Sequence, residues 1–200
     1  MPGLDFGVDR KMKRALDVAA CALFLALFWP LLLAIVVAIR LHSPGKAIFA
    51  QPRVGKDGRL FTCYKLRTMY SGTASLPTHQ VQASAVTSLG ELLRRLKIDE
   101  LPQLWNVLLG DMSLVGPRPC LPSQLELVDA RKRLGVFAVR PGITGLAQVS
   151  GVDMSDANRL AEIDAQYVRT QSVAGDLRLI WATLRGQGVG VDQVARSGNT

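Results

Sequence analysis

The polarity pattern divides the chain into an apolar run and a mixed body. Val18 to Ile39 carries no charged residue. As a helix this run would measure roughly 33 Å, enough to cross a ~30 Å hydrocarbon core. A cleaved signal peptide would have a shorter apolar stretch ending at small residues; this run ends in Arg40-Leu41-His42. Pro30 sits in its middle. Proline removes one backbone donor and its ring opposes the carbonyl of Ala26, so a kink or break is expected there. Arg10, Lys11, Lys13 and Arg14 precede the run, and Arg40, Lys46, Arg53 and Lys56 follow it. Positive flanks mark the cytoplasmic side of a membrane, and both flanks qualify. A helix that enters, bends at Pro30 and returns to the same face satisfies both observations. A kinked spanning helix is the alternative, since proline is tolerated in lipid.

The remainder alternates short elements with turn signals. Ala47–Arg53 and Leu60–Leu66 are apolar-rich runs around Gly55-Lys56-Asp57-Gly58, which predicts a β-hairpin. Residues 71–84, rich in Ser, Thr, Ala and Gln, read as a surface loop. Ser88 opens a helix with Ser88-x-x-Glu91 as a capping box, and Leu89, Leu92, Leu93 and Leu96 form its apolar face. A second helix is predicted from Leu101 to Leu109, with Pro102 in its first turn and Gly110 at its end. Two rigid loops follow, Gly116-Pro117-Arg118-Pro119 and Arg140-Pro141-Gly142 onward. Helices return at 156–170 and 176–185. In the last, Leu177, Ile180, Trp181 and Leu184 share a face that can lie in a membrane interface or pack on a core. The organisation is a basic segment at 1–14, a membrane helix at 15–40, a body at 41–185 and a flexible glycine-rich tail at 186–200. The fold class is mixed α/β and mainly helical, with one small hairpin sheet.

Charge narrows the partners. Lys and Arg number 24 against 16 acids, a formal charge of +8, which favours anionic lipid, phosphorylated substrates or nucleic acid. The basic residues are not interleaved with aromatics as a base-stacking surface requires, so no nucleic-acid partner is expected. Cys21, Cys63 and Cys120 are too scattered for a disulfide framework or a zinc site and are expected to be reduced, buried thiols. Walker A, dinucleotide-binding and paired-histidine motifs are missing.

Candidate chemistry centres on Asp99-Glu100, next to a predicted helix N-terminus where free donors and the helix dipole favour negative charge. Taken alone, the pair is an ordinary N-cap and a solvated acid. Its context is basic. Arg94, Arg95 and Lys97 lie within five residues, Lys65 and Arg67 end the hairpin strand, and Arg118 is locked between prolines. Arginine forks match phosphate oxygens. An acid nucleophile among phosphate-binding cations is what phosphoryl transfer needs, although each cation taken singly also fits a solvated surface role.

The strings Tyr64-Lys-Leu-Arg-Thr-Met69, Ile98-Asp-Glu-Leu-Pro-Gln-Leu-Trp-Asn-Val107, Gly110-Asp-Met-Ser-Leu-Val-Gly-Pro-Arg-Pro119 and Arg140-Pro-Gly-Ile-Thr-Gly-Leu-Ala-Gln-Val149 resemble the monotopic phosphoglycosyl transferases, or bacterial sugar transferases, in content, order and spacing. The likeness runs from about Lys11 to Arg185. It implies a re-entrant helix broken at Pro30 in the bacterial inner (cytoplasmic) membrane, interfacial amphipathic helices and a catalytic domain on the cytosolic face. It also implies a two-step exchange with Mg²⁺. Asp99 would attack a UDP-sugar and hold the metal, releasing UMP; polyprenyl phosphate would then accept the phospho-sugar, starting polysaccharide or glycoconjugate assembly. Glu100 would act as a base or position the metal. Lys65, Arg67, Arg94, Arg118, Arg140 and Gln148 would bind phosphates or substrate. Sugar, lipid length and oligomeric state stay open. A non-catalytic basic membrane-bound scaffold that binds anionic lipid or nucleic acid is the alternative. Three places depart from the family pattern: Trp29 stands where Ser commonly precedes the mid-helix proline, Ala83 and Ala85 replace an acid and an arginine, and Ser150-Gly151-Val152 replaces Asn-Gly-Arg.

Overall fold

The computed structural model describes residues 6–70, 72, 85–152 and 154–186. Ala83, most of the expected 71–84 loop and the tail beyond Gly186 lie outside the described residues.

Helix α1 (Phe6–His42) runs through Pro30 without interruption. The expected helix-break-helix is therefore not what the chain adopts. A proline deletes one bond of the ladder, and the Leu- and Ala-rich turns on either side are strong helix formers that keep the helical path. Both flanks of α1 nevertheless pack on the same body. Cys21 is buried with Cys63, Leu104, Val107 and Met112, and Phe24 and Leu25 lie against that cluster. Ile39 is buried with Ala47, Leu66 and Leu93, and Ile35 and Val36 lie against that one. Between them Ala26 to Leu31 are all exposed. The middle of the apolar run touches little, and its two ends are docked.

Strands β1 (Ile48–Val54) and β2 (Leu60–Leu66) pair antiparallel with Val54 opposite Leu60 and Ile48 opposite Leu66. The Asp-Gly signal marks their turn, where Asp57 and Gly58 both take positive φ. Helix α2 (Ser88–Arg95) starts one residue earlier than the capping-box reading. Thr87 is its N-cap, accepting from the Gly90 N–H at 2.9 Å, while the Ser88 hydroxyl contacts the His42 ring at 3.0 Å. The residue at N3 is then Gly90, so no box forms. Its leucine face splits as well: Leu93 is buried and Leu89 packs with it, but Leu92 and Leu96 are exposed. Helix α3 (Gln103–Leu109) follows, ended by Gly110 in a left-handed conformation, φ 95°.

Four elements were not anticipated: β3 (Ser113–Val115), α4 (Leu125–Arg133), β4 (Gly142–Thr144) and α5 (Leu146–Val149). The strands pair parallel over three residues each, too short for any alternation to be read. In α4 the inward positions are Leu127, Ala130 and Arg131, and a charged inward residue spoils the apolar stripe. Helices α6 (Ala157–Thr170) and α7 (Val173–Leu184) close the body. Helix α7 begins three residues before the predicted Asp176, capped by Ser172. Leu127, Ala130, Ala147, Leu160 and Ala161 form the core beneath, joined by Val54 and Cys120. All three cysteines are free and buried, as expected.

Candidate active site

The acid pair lies on a single 3-10 turn, Ile98–Glu100, between α2 and α3. Lys97, left-handed at φ 56°, reverses the chain into it. Three surrounding segments bring cations to this turn. Strand β2 carries Lys65, whose Nζ donates to Glu100 Oε1 at 2.7 Å. The Pro117–Pro119 loop carries Arg118, which donates to both Glu100 oxygens, Nη1 to Oε2 at 3.4 Å and Nη2 to Oε1. Helix α2 carries Arg94, whose Nε donates to Thr68 Oγ1 at 2.9 Å. Thr68 is a joint here. Its carbonyl accepts from the Thr87 N–H at 3.0 Å, and a Cβ on Gly90 would lie 2.1 Å from that oxygen, so only glycine lets α2 approach.

Position β2 itself depends on Asn106 of α3, which is wholly buried. Its Oδ1 accepts from the Tyr64 N–H at 3.0 Å, and its Nδ2 donates to the Thr62 carbonyl at 2.7 Å. One side-chain amide thus pairs the strand edge beside Lys65 as a neighbouring strand would.

The two acids have opposite electrostatics. Burial pushes the Asp99 carboxyl up to about 6, helped by the Glu100 charge and opposed by Lys65, Arg118 and Arg94. Burial also opposes ionisation of Glu100, but the Arg118 and Lys65 charges and hydrogen bonds outweigh it and hold Glu100 well below the usual carboxylate range. Glu100 is therefore saturated with cations and a poor proton acceptor. Among the described residues the Asp99 carboxylate makes no hydrogen bond or ion pair. An unpaired acid is set beside a second acid that holds two cations at its side.

The other candidates have different partners. Arg67 grips the end of α1, Nη2 donating to the Ser43 carbonyl at 2.7 Å and to Ser43 Oγ at 2.8 Å, with Nη1 on the Pro44 carbonyl at 2.6 Å. Arg140 Nε donates to the Gly110 carbonyl at 2.7 Å. Gln148 Nε2 donates to the Ile143 carbonyl at 3.0 Å, and among the described residues its buried Oε1 has no partner. Lys65, Arg94 and Arg118 converge on the acid pair; Arg67, Arg140 and Gln148 serve backbone. Val152 packs partly buried against the α4–α6 core, and Arg159 is exposed.

A divalent ion would find no cluster of three acid, Cys or His ligands among the described residues. Mg²⁺ does not require one. It is ordinarily held by one or two carboxylates together with substrate phosphates and water, and the unpaired Asp99 carboxylate fits that donor set.

Sequence reasoning missed Asn106, Arg131 and Asp164. The last had a visible signal. Leu160, Ala161, Asp164 and Ala165 share the buried face of α6, and an acid on an apolar stripe demands a buried partner.

An acid pair beside phosphate-matching cations, in a chain that carries one helix long and apolar enough to cross a membrane, is an arrangement suited to phosphoryl chemistry. The sequence matches the bacterial sugar transferase family over residues 8–187. It is 45% identical over 183 residues to a UDP-glucose:undecaprenyl-phosphate glucose-1-phosphate transferase of Caulobacter vibrioides, covering 86% of this chain and 68% of that protein. It is 40% identical to an undecaprenyl-phosphate glucose phosphotransferase of Komagataeibacter xylinus, over 88% of this chain but only 36% of that protein. Identity to the exopolysaccharide production protein ExoY of Rhizobium meliloti is 39%, with 86% and 83% covered. The chain belongs to the bacterial sugar transferase family.

Proposed function

We propose that this protein transfers a phospho-sugar from a UDP-sugar to a polyprenyl phosphate, releasing UMP, as the first membrane step of polysaccharide or glycoconjugate assembly. The observation that carries the reading is the Asp99 carboxylate, unpaired while Lys65 and Arg118 are held beside it by Glu100 and Arg94 stands near. The names of relatives point to the same donor and acceptor classes.

In the first step an Asp99 oxygen attacks the β-phosphorus. The bond from that phosphorus to the bridging oxygen breaks, and UMP leaves with the electron pair. In the second, a polyprenyl phosphate oxygen attacks the same phosphorus and displaces the carboxylate, so one hard displacement becomes two easier ones. Lys65, Arg94 and Arg118 orient the diphosphate and neutralise charge on the transferring group. Glu100 fixes Lys65 and Arg118 and takes no proton. Asp99 would hold Mg²⁺ together with donor phosphate oxygens, and the ion would supply further charge neutralisation there.

Two-ended docking of α1 supports a re-entrant arrangement in the cytoplasmic leaflet of the inner membrane. Asp17 and Ile39 are roughly 33 Å apart along a helix, and each is buried against one body. A spanning helix would put those ends on opposite faces, where one body could not touch both. The wedge around Pro30 would enter the lipid. Leu177, Trp181 and Leu184 of α7 are exposed on the body, with the Arg185 guanidinium 4.8 Å from the Trp181 ring. That face would lie in the interface.

Intact-protein mass spectrometry with UDP-sugar and Mg²⁺, lipid withheld, tests the proposal. Wild type should gain a phospho-sugar mass and release UMP; Asp99→Asn should do neither. An unmodified wild-type protein across a panel of UDP-sugars refutes it.

A further inference from the structure

The loop that presents Arg118 is held by four consecutive carbonyls, bonded to three different parts of the body, β4, α4 and the end of β1. Pro117 accepts from the Gly142 N–H at 2.9 Å, Arg118 from Arg131 Nη1 at 2.8 Å, Pro119 from Arg53 Nη1 at 3.0 Å and Cys120 from the Val54 N–H at 3.0 Å. Pro117 and Pro119 have no N–H to offer, so carbonyls are the principal handles on this segment.

Arg131 is 1% exposed and has a second commitment. Asp164 Oδ2, on α6, accepts from its Nε at 3.0 Å and its Nη2 at 2.6 Å. Two arms of the fork are thereby fixed, and the third is aimed at the Arg118 carbonyl. As glue between α4 and α6 a buried ion pair is a costly choice, since packed apolar side chains of equal volume do that work as well or better. What apolar side chains cannot do is donate a directed hydrogen bond to a main-chain oxygen on the residue whose side chain holds Glu100.

We propose that Arg131 and Asp164 are positioning residues for phospho-sugar transfer: Asp164 orients Arg131, and Arg131 fixes the Arg118 backbone so that its guanidinium meets Glu100 and leaves Asp99 open to the donor. The proposal rests on the functional reading above. Neither residue touches the reacting atoms, and Arg53 holds the next carbonyl in the same manner.

Arg131→Lys keeps the charge but cannot engage Asp164 with two arms while reaching the loop with a third. Asp164→Asn keeps the shape and weakens the orientation. Both are combined with Arg118→Lys, and single-turnover release of UMP is measured for every variant that melts cooperatively in detergent. Each single change should slow release about ten- to a hundred-fold, the usual cost of a misplaced catalytic group. In the Arg118→Lys background each should cost less than about threefold, because the residue through which the pair acts has already been altered. Equal factors in both backgrounds overturn the proposal, as do full rates in the single variants or failure of both to fold; the pair then serves the fold as a whole. Hydrogen exchange across residues 116–121 reads the same hold without turnover. It should be faster in both variants, and unchanged exchange overturns the proposal even if wild type releases no UMP, a result that would count separately against the functional reading.

Discussion

Replacing Glu100 by glutamine removes one charge with almost no change of volume, and it should move the acid limb of the pH–rate profile to lower pH. Asp99 attacks only as the carboxylate. Its pKa of about 6 means that wild-type turnover falls as pH drops through about 6. Burial is the largest cause of that raised value, and the substitution leaves burial in place. What goes is the neighbouring negative charge, and what remains is Lys65, Arg118 and Arg94, all of which favour the ionised form. Two charges about 6 Å apart at an effective dielectric of about 20 interact by roughly 2.8 kcal/mol, or about 2 pKa units. Side chains that lose the Glu100 acceptor relax outward and reduce this, so a shift of about one unit or more is expected. The acid limb of kcat/KM, measured as UMP release at donor concentrations well below KM from pH 4.5 to 9, reports the free enzyme and locates the limb for both proteins. The maximal rate of the Glu100→Gln variant should also fall, because Lys65 and Arg118 lose their common anchor. A limb at the same or higher pH in the variant, or a wild-type rate that stays flat from pH 7 to 5, would show that the Asp99 charge is not what the profile reports.

Asn106→Ala should lower the melting temperature in detergent by roughly 5–15 °C, since leaving the Tyr64 N–H and the Thr62 carbonyl unpaired costs about 1–3 kcal/mol each; a change under 2 °C would mean that β2 holds its place without the amide. Cysteines introduced at the exposed positions Lys11 and Lys46 should both react with a membrane-impermeant maleimide in inside-out vesicles and neither in right-side-out vesicles. Labelling from opposite faces would establish a spanning helix.

Much of the body was legible from local chemistry. Asp57-Gly58 marked the hairpin, Gly110 closed α3, and Asp156 stands as the N-cap of α6. Each is a signal whose cause lies within a few residues. The site was legible only as an inventory. Lys65, Arg94 and Arg118 stood in the chain beside many other cations, and nothing local separates Arg118, which reaches Glu100, from Arg67, which caps α1, or Arg140, which holds Gly110. That choice is made by packing between distant segments. Strands β3 and β4 were invisible for the same reason, being three-residue pairings stabilised by what lies across them. Pro30 goes the other way: the local rule predicts a kink or a break, and of the two the break does not occur, a single lost hydrogen bond being too little to end a long apolar helix.

The attachment of α1 also sets an order of events in the making of the protein. Lys13 donates to Asp176, and Asp17 accepts from Ser113, so α1 meets these distant polar partners only after residues 113 and 176 have followed it out of the ribosome. Until then Lys13 and Asp17 have each other, an i,i+4 pair 3.9 Å apart on α1, and the apolar face has no body to pack against. On the proposed membrane reading insertion would precede docking, and contacts so far apart in sequence make the final closure the slow one.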